Sequence, residues 1–184
     1  SNKELIDLVQ IVLETYKVRD GNIRLYKENI LLKGFIKEII EEMQPIAQKT
    51  NNTLEFIQQR DIRVYADRIQ LKRVIKNLIQ NAISYGEPNF PIEVSIGEIP
   101  QYIVIKVKDY GAGISKTDID KIFNKYYSAA KKFRKIGTGL GLYLALQIIK
   151  SHNGELSVES EEGNFTEFTI KLPAVMNINL HYGE

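Results

Sequence analysis

The sequence contains no cysteine, which excludes a disulfide framework and any thiolate metal site. No apolar run approaches the roughly 20 residues that a membrane-spanning helix requires, and no stretch resembles a signal peptide. A formal net charge of +2 over 184 residues gives no electrostatic case for a nucleic-acid partner or for contact with an anionic membrane. We therefore expect a cytoplasmic globular protein with neither partner, and its 43% hydrophobic content is enough to build a core.

The chain opens with Ser1, Asn2 and Lys3 rather than Met. We interpret it as part of a longer protein, whose other parts leave room for a membrane anchor. Its first pattern, from Lys3 to Val18, places apolar residues at helical spacing along one face. Either this helix packs on its own domain, or it is the last helix of a bundle whose remainder is absent from the chain.

Helical and strand periodicities alternate along the rest of the chain. They predict helices over 34–50, 67–85, 115–123 and 139–151, and strands over 30–32, 54–57, 62–65, 92–96, 103–107, 155–160 and 165–172. Pro45 is expected to kink or divide the first helix, and a polar turn is expected to join the strands 54–57 and 62–65. The predicted fold class is α+β: a two-layer sandwich with helices on one face of a mixed, largely antiparallel sheet, preceded by one long N-terminal helix.

Two amides, Asn77 and Asn81, are four residues apart and therefore lie on one face of the predicted helix 67–85. An amide oxygen is a neutral, hard ligand that suits Mg²⁺ when the cation already carries phosphate charge. The alternative is a pair of helix-flank amides that bond neighbouring backbone groups.

Asp109 follows a strand and precedes Gly111 and Gly113. An ionised carboxylate only accepts hydrogen bonds, which suits the exocyclic amine of adenine, and the glycines permit a sharp turn and close approach of a base. The alternative is an ordinary turn after a strand.

Three alternating glycines, Gly137, Gly139 and Gly141, precede the apolar helix that ends near Ser151. Exposed N–H groups at such a helix start can bind phosphate, although the spacing fits neither the P-loop nor the dinucleotide fingerprint. The alternative is a set of hinges. A basic run lies just before the glycines, and we interpret it as a lid over a triphosphate rather than as solvated surface. This run comprises Lys125, Lys131, Lys132, Arg134 and Lys135.

The order of these motifs resembles the catalytic and ATP-binding domain of sensor histidine kinases. These belong to the GHKL superfamily, which has the Bergerat fold and includes DNA gyrase, MutL and heat-shock chaperone ATPases. The resemblance covers about Asn29 to Pro173. Residues 77–81 resemble the N box, 109–113 the G1 box, 122–127 the F box and 137–142 the G2 box.

The resemblance implies ATP and Mg²⁺ as ligands, with Asn81 binding the metal and with Asn77 and Lys125 in catalytic roles. The implied ATP-binding residues are Asn77, Asn81, Tyr85, Asp109, Gly111, Gly113, Ile114, Lys132, Arg134, Gly137, Thr138, Gly139, Leu140, Gly141 and Leu142. The helix from Lys3 to Val18 is similar to the second helix of the dimerisation and phosphotransfer bundle. The implied organisation is therefore residues 1–20 from that bundle, 21–173 as the catalytic domain and 174–184 as a tail.

Asn77 favours a kinase over the ATPases of this superfamily, which place a general-base glutamate at the matching position. An amide cannot take a proton, whereas a neutral imidazole acceptor is already nucleophilic. The chain departs from the family pattern at Ser84 and Ser128, where basic residues are common, and at Phe165-Thr166, where Gly-Thr is common.

The implied function is donation of the ATP γ-phosphoryl to a histidine outside this chain, for relay to an aspartate of a response regulator. The implied partners are the upstream helices, in a homodimer of the parent protein, and the regulator's receiver domain. His152 lies at a predicted helix end and is expected to be a structural cap, while His181 is expected to belong to the tail. The alternatives are an ATPase or gating module of the same superfamily and a degenerate ATP-binding scaffold without transfer activity.

Overall fold

The computed structural model describes residues 23–57, 60–127 and 139–174. The expected helix over 3–18, the tail after residue 174 and most of the basic run lie outside these residues. Within the described ranges no helix is both long and apolar enough to cross a bilayer.

Two sheets carry the seven described strands. A small antiparallel sheet pairs β1 (Lys27–Leu31) with β3 (Arg63–Asp67). The main sheet has five strands in the order β2-β4-β5-β7-β6, parallel only between β2 and β4. Its members are β2 (Thr53–Ile57), β4 (Pro91–Ile99), β5 (Tyr102–Asp109), β6 (Glu155–Glu161) and β7 (Phe165–Pro173). Buried residues alternate with partly exposed ones along most of β4 and β7, which shows that one face of the sheet meets the core.

Within the described ranges, three helices cover that face: α1 (Leu32–Gln48), α2 (Arg68–Tyr85) and α3 (Gly141–Ser151). Helix α2 lies between the other two and packs on both of them and on β5. Its core-facing apolar residues recur at helical spacing and are at most 4% exposed. These residues are Leu71, Val74, Ile75, Leu78, Ile79, Ala82 and Ile83. The expected α+β layered fold is confirmed, with helices on one face of a mixed sheet.

Asp67 is the N-cap of α2: its carboxylate Oδ1 accepts the Gln70 N–H at 3.0 Å. The other oxygen accepts the Tyr26 N–H at 2.8 Å. One buried carboxylate therefore joins the residue just before β1 to the start of the central helix.

Some local expectations were wrong. Pro45 lies in the last turn of α1 and does not divide it, because buried Met43 and Ala47 on either side hold the helix on the core. The segment 115–123 forms successive turns rather than a helix. Only Ile122 is fully buried there, at 6% exposure, so little apolar surface stabilises a helix.

Strands β2 and β3 do not form a unit joined by a turn. They belong to different sheets, because β3 pairs with β1 while β2 becomes the parallel edge strand beside β4. The stretch of sequence between β2 and β4 carries β3 and α2, and this long crossover makes the parallel pairing possible.

His152 is the C-cap of α3, in agreement with the expected structural role. Its buried ring accepts the Asp67 N–H on Nε2 at 3.0 Å and contacts the Ile148 carbonyl through Nδ1 at 2.8 Å. Since the Asp67 amide only donates, Nδ1 carries the proton and the ring is neutral. Burial lowers the pKa of His152, outweighing the raising effect of the Ile148 bond.

His152→Gln should change how stability depends on pH. A lowered folded-state pKa means that the unfolded chain binds the proton first, so this contribution is complete above about pH 6.5 and is lost as the pH falls. At pH 7.5 the variant should be about 1–2 kcal/mol less stable than the wild type, because it loses buried hydrogen bonds. Chemical denaturation between pH 7.5 and 5 should show this difference shrinking. His181→Gln is the control, and a pH-independent difference would contradict the assignment.

Candidate functional site

Asn77 and Asn81 lie on successive turns of α2, where Asn77 is half-buried. The Nδ2 atom of Asn77 is completely buried and has no hydrogen-bond partner among the described residues. Leaving such a group unpaired costs about 1–3 kcal/mol, and a buried donor without a partner is a common mark of a site that awaits a ligand.

Gly141, the first residue of α3, lies against this amide. A Cβ atom at Gly141 would stand 2.5 Å from Asn77 Oδ1, which is too close for any real side chain. Asn77 and Gly141 also share a small cleft of about 50 Å³ between α2 and α3. The structure thus brings the paired-amide helix and the start of the glycine-led helix together.

Asp109 is the last residue of β5 and is only 3% exposed. Its Oδ1 atom is buried and has no hydrogen-bond partner in the described part of the chain. Burial raises the pKa of Asp109 from its usual 3.8 to about 7, because a carboxylate removed from water is less stable than the neutral acid. Asp109 Oδ1 is therefore a buried acceptor that receives no hydrogen bond from the described residues.

The loop after Asp109 is clamped on two sides, and its glycines make both contacts possible. A Cβ at Gly111 would stand 2.1 Å from the Tyr85 carbonyl, so the loop touches the end of α2 there. Gly113 has a φ of +61°, and a Cβ would stand 2.1 Å from the Glu161 carbonyl, on the β6–β7 hairpin. Both positions require glycine.

Tyr85 and Ile114 flank this loop. Burial raises the pKa of the half-buried Tyr85 phenol, and the Tyr85 carbonyl accepts the Ala112 N–H at 3.2 Å. The Ile114 N–H donates to Ser160 Oγ at 2.8 Å. Two of the predicted ATP-binding residues therefore border the same loop as Asp109.

The structure describes only the two margins of the predicted phosphate-binding segment, which are the residues up to 127 and those from 139 onward. Gly137, Thr138, Lys132 and Arg134 lie outside the described residues, as do Lys131, Lys135 and Ser128. The margins are joined: the Tyr126 N–H donates to the Gly139 carbonyl at 3.0 Å.

Gly139, at one margin, adopts a φ of +65°. The chain then enters α3 through buried Leu140, while half-buried Leu142 packs on the core. Lys125, at the other margin, has its ammonium over the rings of Tyr126 and Tyr143, at 5.1 and 6.0 Å from their centroids.

The sequence interpretation missed a polar row beside Asp109. Thr166 of β7 lies directly opposite Asp109 in the sheet and is 5% exposed, and Ser160 of β6 lies opposite Thr166. In the sequence, Thr166 matches the threonine of the Gly-Thr pair common in the family, whose glycine is replaced by Phe165 here. The signal that finds both residues is strand register, which brings together positions 109, 160 and 166.

These residues fit a nucleotide with Mg²⁺. An unpaired carboxylate oxygen and an unpaired amide lie in the region of the described glycines, and both await polar partners. No group of three or more His, Cys, Asp or Glu side chains that could hold a metal occurs within 23–57, 60–127 and 139–174. The metal ligands that this region offers are the amide oxygens of Asn77 and Asn81. Such neutral oxygens suit Mg²⁺ that is also bound by phosphate and water.

Known proteins are similar to this chain in sequence. The family model for histidine kinase-, DNA gyrase B- and HSP90-like ATPases matches residues 66–176. Sensor histidine kinase WalK of Bacillus subtilis is 32% identical over 177 residues, which cover 93% of this chain and 29% of that protein. Sensor protein kinase WalK of Staphylococcus epidermidis is 34% identical over 175 residues, or 93% of this chain and 28% of its own length.

Solved structures of histidine kinases are similar to this chain in fold. The nucleotide-free catalytic domain of histidine kinase ThkA is 28% identical and superposes with a TM-score of 0.72, covering 82% of this chain and 97% of that domain. Full-length ShkA in complex with AMPPNP superposes with a TM-score of 0.84 over 93% of this chain and 36% of that one. Its 22% identity shows the fold alone.

The chain belongs to the family of histidine kinase-, DNA gyrase B- and HSP90-like ATPases, as an ATP-binding catalytic domain of the two-component histidine kinase type. It spans less than a third of the length of the WalK proteins that it matches. The activity and partners of the whole protein are therefore matters for proposal.

Asp109→Asn should stabilise the ligand-free domain at alkaline pH. A carboxyl group with a raised folded-state pKa contributes stability that is complete below its unfolded value near 3.8 and is lost as the pH rises to about 7. At pH 8 the variant should be more stable than the wild type by on the order of 1–3 kcal/mol, and at pH 5 the difference should shrink. Denaturant unfolding at both values measures this, with Asp120→Asn as the control. Equal differences at the two pH values would contradict it.

Proposed function

We propose that this domain binds ATP together with Mg²⁺ and donates the γ-phosphoryl group to a histidine outside the chain. The observation that carries the proposal is the pair of buried, unpartnered polar atoms, Asn77 Nδ2 and Asp109 Oδ1, in the described part of the chain. One lies beside the start of α3 and the other beside the glycine loop, as expected for a ligand that is polar at both ends.

At the purine end, Asp109 would accept from the adenine amine, while Gly111, Gly113, Ile114 and Tyr85 would shape the pocket. Their clamped loop supplies rigidity, because both of its glycines touch backbone atoms of neighbouring elements. A preformed pocket loses little entropy when the base enters.

At the phosphate end, Asn81 would bind the metal and Asn77 would contact the phosphates. Gly139, Leu140, Gly141 and Leu142 would present backbone N–H groups, as helix starts do. Gly137, Thr138, Lys132 and Arg134 belong to the same proposal, although they lie outside the described residues. Lys125 would supply the positive charge that family members place at the positions of Ser84 and Ser128.

The chemistry is in-line phosphoryl transfer. A neutral imidazole nitrogen attacks the γ-phosphorus, the bond to the β–γ bridging oxygen breaks, and ADP leaves. Mg²⁺ neutralises charge on the phosphates when it is bound. Because Asn77 cannot act as a base toward water, this chain's residues position the nucleotide rather than promote hydrolysis.

The phosphoryl group would then pass to an aspartate of a response-regulator receiver domain. The acceptor histidine would lie on a dimeric helical bundle of the parent protein, to which residues 1–20 would contribute the last helix. Residues 21–173 would form the catalytic domain, in the cytoplasm where ATP is available, and 174–184 a tail. A degenerate scaffold is the second candidate, because Ser84 replaces a commonly basic residue on α2.

Gly141→Ala should weaken nucleotide binding while leaving the fold intact. The added methyl group displaces the Asn77 side chain, which can move, so the loss of stability should be within about 1 kcal/mol. Calorimetric titration with a non-hydrolysable ATP analogue and Mg²⁺ should show affinity reduced on the order of tenfold or more, and Asp109→Asn should reduce it as well. Gly34→Ala, a helical glycine with open space around its Cβ position, is the matched control. Unchanged affinity in both site variants would count against the proposal.

This chain should not phosphorylate itself when incubated with labelled ATP and Mg²⁺, whereas a longer form that includes the upstream bundle should become labelled on a histidine of that bundle. His152 cannot serve as acceptor, because both of its ring nitrogens are engaged in the core. Acid-labile label on His152 or His181 would contradict the proposal. Steady release of phosphate without labelling would favour an ATPase, and binding without transfer by the longer form would favour the scaffold.

A further inference from the structure

Arg73 continues the line of polar side chains that α2 presents to the candidate site. Tyr85, Asn81, Asn77 and Arg73 follow one another at steps of four residues toward the start of the helix, and all four are partly buried. Residues four apart on a helix are neighbours, with Cβ atoms about 5–6 Å apart. The Tyr85 carbonyl accepts an N–H group from the glycine loop at the purine end, and Asn77 meets the start of α3 at the phosphate end. Arg73 is therefore the next side chain after Asn77, on the side away from the base.

Arg73 also lines the cleft between α2 and α3 that Asn77 borders. Leu144, Ala145 and Ile148 form the α3 wall of this cleft, and Arg73 is the charged residue among the described residues that line it. Burial lowers the pKa of Arg73, because a cation partly removed from water is less stable than the neutral form. An arginine nevertheless stays ionised in a protein, so an anion bound beside it would relieve the cost of its burial.

Asn77 adds a second hydrogen-bond donor at the same place. Its Nδ2 atom is buried and has no partner among the described residues, and the guanidinium group of Arg73 carries five N–H donors and no acceptor. No aspartate or glutamate occurs among the described residues that line the cleft. Donors and a positive charge therefore meet there, which suits a phosphate group, since arginine binds phosphate through two parallel hydrogen bonds.

The other basic side chains of α2, a helix that the structure describes in full, lie on the side next to α1. Each of them forms an ion pair with Glu38 or Glu42 of that helix. They are Arg68, Lys72 and Lys76. Of the basic residues on α2, Arg73 is thus the one that lines the cleft beside α3.

We propose that Arg73 is a substrate-binding residue whose guanidinium group contacts the γ-phosphoryl group of ATP, beside Asn77. ADP lacks this group and ends one phosphate nearer to the base, so it makes no such contact. Arg73 therefore makes the site favour the nucleotide substrate over the nucleotide product. This inference rests on the proposed binding of ATP and concerns how that same site distinguishes ATP from ADP.

The test compares a non-hydrolysable ATP analogue with ADP by calorimetric titration of this chain in the presence of Mg²⁺. At about 0.15 M salt, exposed charges more than about 8 Å apart are largely screened, so a local contact dominates the comparison. In Arg73→Gln the affinity for the analogue should fall on the order of tenfold or more, as expected for loss of a charged hydrogen bond, while the affinity for ADP should stay within about twofold.

Two further variants separate this contact from a general effect of charge. Lys76→Gln removes a charge from the same helix, on the side that pairs with α1, and should leave both affinities unchanged. Arg73→Lys keeps the charge without the planar fork, so it should retain only part of the preference for the analogue. Denaturant unfolding of each variant shows whether it is folded.

The inference is overturned, while ATP binding stands, if Arg73→Gln weakens both nucleotides equally or weakens neither. It is also overturned if Lys76→Gln lowers the analogue-to-ADP affinity ratio as much as Arg73→Gln does. Should Arg73→Gln not fold, Arg73→Lys decides the question, because an unchanged ratio in that variant excludes the contact. If the wild type binds neither nucleotide, the proposed function fails with it.

Discussion

The backbone contact between Gly111 and the end of α2 sets the geometry on which the rest of the site depends. The Gly86 and Gly111 backbones form an isolated β-bridge, and the Glu87 N–H donates to the Tyr110 carbonyl at 2.7 Å. A side chain at either glycine would meet a carbonyl oxygen at 2.6 Å or less. The contact therefore fixes the separation between the helix that carries the paired amides and the strand that carries Asp109.

The same close packing explains why the site is costly to maintain in the absence of a ligand. Asn77 and Asp109 are held where water and protein partners are scarce, and each such buried group costs about 1–3 kcal/mol. The surrounding core offsets this cost, with Leu78 and Ile79 of α2 and Ile105 of β5 essentially inaccessible to solvent. Exposed ion pairs from Glu38 and Glu42 to α2 add little, as surface pairs generally do.

Local chemistry made much of this structure predictable from the sequence. Asp67 caps α2 because a carboxylate before an apolar-periodic run bonds the free N–H groups there, and the hairpin of β6 and β7 follows from alternation around a glycine turn. Asn77, Asp109 and Gly141 were singled out because amide spacing and glycine spacing are local signals.

The features that could not be predicted from the sequence depend on pairings between distant residues. The parallel edge position of β2 is decided by β4, which follows after an intervening strand and helix. Thr166 and Ser160 join Asp109 only through register across three strands, and no local pattern places either of them beside Asp109. The turns over 115–123 replace a helix because burial, rather than propensity, decides the conformation of so short a segment.

Asp67 has one further consequence. Its carboxylate bonds both Tyr26 and Gln70, and its amide bonds His152, so three separate segments of the chain converge on one residue. The residues before β1 are thus mechanically coupled to α2. Displacing Tyr26 would leave one Asp67 carboxylate oxygen without its hydrogen bond at the start of the helix that bears Asn77 and Asn81. Tension on the preceding chain would therefore reach that helix through this side chain as well as through the pairing of β1 with β3.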